Sequence, residues 1–210
     1  MKFRFGGQQA ESDANSAFFL FAFIVGIFLM SILLMIQLNS FYQVFIIVSA
    51  VILSTNGVFL GLLVTQQISS ALFTSLGIIA LAGIVVNNNI VLVDTYNVIT
   101  KENPELSREE IVVRTAAQRL RPIILTTATT VIGLLPLASG IGVDFYQRNI
   151  EIGGRVSEWW QPMSFAVVSG LTFASAITLF LTPCWLMLPV AIKNTLNNLR
   201  NTFTKTASER

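Results

Sequence analysis

Three consecutive asparagines, Asn87, Asn88 and Asn89, and one carboxylate, Asp94, interrupt the run GIIALAGIVVNNNIVLVD (residues 77–94), which is otherwise apolar enough to cross a bilayer. An amide both donates and accepts hydrogen bonds, and a carboxylate can take up or release a proton. Asn87 and Asp94 are seven residues apart, so at about 100° per residue they share a helix face, which Gly83 and Ala80 extend without bulk. A charged carboxylate costs about 2.5–3.5 kcal/mol at the centre of a membrane helix. The strip is therefore expected to face other protein and the aliphatic side to face lipid. The plainer reading is that the asparagines glue helices together, at about 0.6 kcal/mol per hydrogen bond. It applies most to Asn88 and Asn89.

Other chemistries lack their residues. The sequence holds no histidine and a single cysteine, Cys184, in an apolar run. No disulfide within the chain, histidine metal site or histidine-based triad can be built from that set. An intramembrane hydrolase needs a nucleophile with a base, or metal ligands, and neither set is present. The reading is of a protein that is not an enzyme and needs no cofactor or metal.

Composition names the medium. Of 210 residues, 53% are hydrophobic and 11% charged, with a mean hydropathy of +0.70. Soluble domains carry about 25% charged residues, so this is an all-α, polytopic membrane bundle. The net charge of +2 is small and its basic residues cluster beside the spans, which speaks for topology and against nucleic-acid binding. Spans are expected at about 16–38, 43–65, 72–99, 122–138 and 162–188, each long enough for a core of about 30 Å. Gly57 and Gly61 form a small-xxx-small pair that permits close helix packing. Gly133 and Gly170 are further candidates for close approach, as is Gly83 on the asparagine helix. Span four carries Thr126, Thr127, Thr129 and Thr130.

The connections are polar. Residues 1–15 read as a flexible segment outside the membrane, and 190–210 as a tail expected to fray. Between spans three and four, Ser107 and Glu110 have capping-box spacing, and Leu106 and Ile111 the spacing of a hydrophobic staple. An amphipathic helix over 107–120 is expected in the membrane interface, with Pro122 as the first residue of span four. Lys101, Arg108, Arg114, Arg119 and Arg121 follow span three, and Lys193, Arg200, Lys205 and Arg210 follow span five. Both segments should be cytoplasmic, which leaves the N-terminus and the Trp159–Trp160 loop outside. An outside N-terminus is awkward for a chain starting Met-Lys-Phe-Arg and hints at a beginning that is not a natural one.

The motifs AGIVVNNNIVLVDTY (82–96), QRLRPIILTT (118–127), TVIGLLP (130–136), GLTFAS (170–175) and LFLTPC (179–184) resemble the resistance–nodulation–division (RND) efflux permeases of the AcrB/AcrD/AcrF type. The resemblance runs from about residue 6 to residue 188 and places the five spans as the last five of twelve. The polar N-terminus then resembles the tail of the second periplasmic porter region. The resemblance implies a homotrimeric pump of the bacterial inner membrane that exchanges protons for amphiphilic drugs, with a periplasmic adaptor and an outer-membrane channel. It implies relay carboxylates on the fourth span, with polar groups on the asparagine and threonine helices. The relay lysine of the best-known pumps falls at Asn87, which cannot carry a charge, and the relay threonine falls at Thr126. Arg119 and Arg121 match the family's Arg-Leu-Arg-Pro motif. The implied function is the membrane part of a pump, truncated or one half of a split pump and inactive alone. The other function class left open is a non-transporting protein that binds partner helices through its polar faces. Asn87, Asn88, Asp94, Arg119, Thr126 and Thr130 are the relay candidates.

Overall fold

The computed structural model describes residues 8–66, 70–144 and 149–208. Part of the polar N-terminal segment (residues 1–7, with Lys2 and Arg4), as well as Arg148 and Arg210, lies outside the described residues. Five helices follow in order: α1 (Gln8–Leu38), α2 (Phe41–Thr65), α3 (Ala71–Glu102), α4 (Arg108–Ala138) and α5 (Arg155–Ser208). Each contains a stretch long and apolar enough to cross a membrane. The loop before α5 adds an antiparallel hairpin of β1 (Ile141–Asp144) and β2 (Asn149–Ile152), with Ile141 opposite Ile152.

Helices α2, α3, α4 and α5 form the body, and α1 lies along its edge with most of its surface exposed. Asn39 closes the tight α1–α2 turn with φ 48°, a left-handed backbone that asparagine tolerates better than most residues. One buried cluster joins Val44, Ile47 and Val51 of α2, Leu81, Val85 and Val93 of α3, and Ala166 and Leu171 of α5. A second joins Ile46, Leu92, Tyr96, Ile111, Ile123 and Leu186 at the other end. The first depends on missing side chains. A Cβ on Gly57 would stand 2.5 Å from Cβ of Phe173, one on Gly61 2.4 Å from Cβ of Ser169, and one on Gly170 2.3 Å from Leu81 Cδ2. Backbones can meet this closely only where glycine stands, and close packing drives helix association where lipid tails are as apolar as leucine.

Several expectations change. Residues 107–120 and span four are one continuous helix: Pro122 lies inside α4 rather than at its start. Ser107 still caps that helix, its Oγ accepting from the Glu110 N–H at 3.2 Å, while the Glu110 carboxylate pairs with Arg114 at 2.8 Å instead of returning to the cap. Ile111 and Val112 of this segment's apolar stripe are buried in the bundle together with Thr115, while Leu120 of the same stripe is exposed. The helix continues past Pro122 although that residue has no N–H to bond the preceding turn. At the far end, the tail expected to fray is helical to Ser208. Ile192, Leu196, Leu199 and Phe203 recur there at helical spacing, which a reading by polarity passes over.

Candidate relay faces and a cavity between α3 and α4

Helix α3 is buried on its aliphatic side. Leu81, Val85, Leu92 and Val93 are essentially inaccessible, whereas Gly83, Asn87, Val91, Asp94 and Val98 form an exposed strip at spacings of four and three. The aliphatic side was expected to meet lipid. It meets α2 and α5 instead, because α3 stands in the middle of this bundle. The polar strip is the side that the chain leaves uncovered. Asn87 and Asn88 have no side-chain hydrogen bond among the described residues, and a Cβ on Gly83 would meet nothing within 4 Å.

Helix α4 carries a matching strip. Pro122, Thr126, Thr129, Gly133 and Pro136 recur at spacings of four and three and are all exposed. Gly133, like Gly83, faces no neighbour within this chain, so neither acts as a packing glycine here. Thr126 Oγ1 donates to the Ile123 carbonyl at 3.1 Å and Thr130 Oγ1 to the Thr126 carbonyl at 2.8 Å. Each hydroxyl spends its proton on its own helix and keeps lone pairs to offer. Thr127, beside them, turns inward and meets Ser175 Oγ at 2.6 Å.

The two helices run antiparallel and are tied at one level, where Arg119 Nε donates to Thr95 Oγ1 at 2.5 Å. Two turns further along each helix, that register brings Asn87 and Asn88 level with Thr126. Around Arg119, a cavity of about 280 Å³ is lined by Asp94, Thr95, Glu102, Arg114, Gln118 and Arg119, among others. It holds the one carboxylate of the strip next to two guanidinium-bearing residues. The arrangement offers hydrogen-bonding groups level with mid-helix and charged groups near one helix end.

A sequence model of the AcrB/AcrD/AcrF family matches residues 1–189. The chain belongs to this family. It is similar to the multidrug resistance protein MdtC of Klebsiella pneumoniae, 33% identical over 59% of this chain and 11% of MdtC. The swarming motility protein SwrC of Bacillus subtilis is 30% identical over 85% of this chain and 16% of SwrC. Among solved structures, a heavy-metal efflux pump matches with a TM-score of 0.61 and 30% identity, over 77% of this chain and 15% of the pump. The chain thus spans between about a tenth and a sixth of the length of these relatives. It is a membrane part of the RND efflux family.

Within the bundle, Asn89 takes the helix-joining role expected of it, and Gln43 with Asn97 forms a second polar link that the sequence did not single out. Asn89 is fully buried: its amide donates to the Val85 carbonyl at 2.9 Å and to Thr178 Oγ1 at 3.3 Å, and its carbonyl accepts from Thr182 Oγ1 at 3.0 Å. Gln43 and Asn97 exchange two amide hydrogen bonds, of 2.6 and 3.0 Å, between α2 and α3. Thr178 and Thr182 stand four apart on α5, a spacing that could have marked a shared partner. Nothing in the sequence paired Gln43 with Asn97.

Proposed function

We propose that this chain supplies the C-terminal membrane part of a proton-driven efflux permease of the bacterial inner membrane, and that it needs the rest of the permease to transport. One observation carries the reading. Two strips of polar and small residues, through Asn87 and Asp94 on α3 and through Thr126 and Gly133 on α4, are left uncovered by every helix of the chain. In hydrocarbon, unpartnered amides and carboxylates are expensive and mark transport pathways, so other helices belong there. Asn87 serves as a hydrogen-bonding partner for a carboxylate supplied from outside this chain. It cannot titrate, so the proton resides elsewhere. Thr126 offers its lone pairs at the same level, and Asp94 and Arg119 act nearer the cytoplasmic mouth.

The supporting topology has the N-terminus and the loop before α5 in the periplasm, with residues 103–121 and the C-terminus in the cytoplasm. The complete pump assembles as a trimer with a periplasmic adaptor and an outer-membrane channel. The cargo class is amphiphilic solutes.

Reconstitution tests the reading. Liposomes with an imposed pH gradient should move a fluorescent amphiphile when they hold this chain together with the preceding spans of the permease. With this chain alone they should match empty liposomes. Gradient-dependent transport by the chain alone would refute the proposal. Stable assembly with those spans but no transport would make the chain a membrane interaction protein.

A further inference from the structure

Thr95 lies on α3 next to Asp94 and is 7% exposed. Its hydroxyl proton is committed, since Oγ1 donates to the Val91 carbonyl one turn back at 2.8 Å. The oxygen therefore meets Arg119 with lone pairs, and the Arg119 Nε–H donates to it. Nε is the inner nitrogen of the guanidinium fork, where a single bond sets the position of the whole plane while using only one of five N–H donors. The four terminal N–H groups have no protein partner among the described residues, and the only ion pair among those residues joins Arg114 to Glu110. Arg119 also lines the cavity that it shares with Asp94 and Glu102. The guanidinium is thus anchored at its neck while its two outer nitrogens stay available to an anionic group.

We propose that Thr95 is the positioning residue of Arg119: its hydroxyl, oriented by the Val91 carbonyl, holds the guanidinium with its outer nitrogens free for carboxylate exchange at the α3–α4 cavity. The anchoring is a property of this chain. Its use in a relay rests on the function proposed above.

The chain in nanodiscs, with arginine side chains labelled with 15N, gives the test. The Arg119 Nε–H resonance should exchange slowly with solvent in the native protein and in Thr95→Ser, which keeps the hydroxyl. In Thr95→Val, which keeps the shape, exchange should be about tenfold faster, the loss of roughly one hydrogen bond. The Gln43 and Asn97 side-chain amide resonances report that the bundle is otherwise intact. Exchange in Thr95→Val as slow as in the native protein would overturn the assignment, as would a Thr95→Ser variant that exchanges as fast as Thr95→Val. In the two-part transport assay, Thr95→Val should lower turnover with KM unchanged and Thr95→Ser should restore it. If Arg119→Gln transports normally while the resonance still depends on Thr95, the anchoring stands and the relay reading fails.

Discussion

Asn87 and Asn89 are two residues apart on α3 and point to opposite sides of it. Asn89 is 0% exposed and exchanges hydrogen bonds with Thr178 and Thr182 of α5, whereas Asn87 is exposed and bonded to nothing among the described residues. Two steps of about 100° place them on opposing faces. The same residue type thus serves cohesion within the bundle on one side, and on the other presents an unused amide to whatever lies beyond it.

Asn89→Leu should destabilise the isolated chain by about 1–2 kcal/mol, since interhelical hydrogen bonds in membranes contribute roughly 0.6 and at most about 1.7 kcal/mol. Asn88→Leu should change stability by less than about 0.5 kcal/mol. Reversible unfolding in mixed micelles measures both. Equal losses for the two would show that burial at Asn89 is not what matters.

Asn87→Leu should leave folding and assembly near normal and abolish most transport in the complete permease. The control is Ile132→Leu, at a position 65% exposed, which should be silent. Val85 would be a poor control although it is only two residues away: it is 1% exposed, and an added methylene there overpacks the core at about 1–3 kcal/mol. Normal transport in Asn87→Leu protein that assembles poorly would make Asn87 structural glue.

The glycines divide in the same way. Gly57→Ala and Gly61→Ala should each lower stability by about 1–3 kcal/mol, because the new methyl meets a Cβ fixed to the opposing backbone. Gly83→Ala and Gly133→Ala have open space within this chain and should be neutral or slightly stabilising, by up to about 1 kcal/mol. In the assembled permease, a defect confined to the latter two would locate the facing helices.

The five spans were legible in the sequence because chain hydropathy reports the medium directly. Which side of α3 is buried was not, since a face turned to lipid and a face turned to protein have the same aliphatic composition. Pro122 misled because a proline after a polar stretch fits a helix start, whereas here the helix already runs from Arg108 and passes through it. The Asn87–Asp94 face could be read because its periodicity is local. The anchoring of Arg119 by Thr95 joins residues 24 apart and depends on how two helices are staggered, which no local pattern encodes.

Topology can be checked with single cysteines in a Cys184→Ser background, since Cys184 is exposed. Glu105→Cys and Ser139→Cys, both at exposed positions, lie at opposite ends of α4. In intact spheroplasts a membrane-impermeant maleimide should label the second and not the first. The reverse pattern would invert the orientation.

The continuity of α4 through Pro122 has a mechanical consequence. Its 31 residues make a rod about 46 Å long at 1.5 Å per residue, against a hydrocarbon core of about 30 Å. The bond between Thr127 and Ser175 ties it to α5 about 28 Å from Arg108 and about 16 Å from Ala138. The rod exceeds that core by about 16 Å, and because Ile111, Val112 and Thr115 are buried in the bundle, the surplus on the Arg108 side is backed by protein rather than standing as a free end.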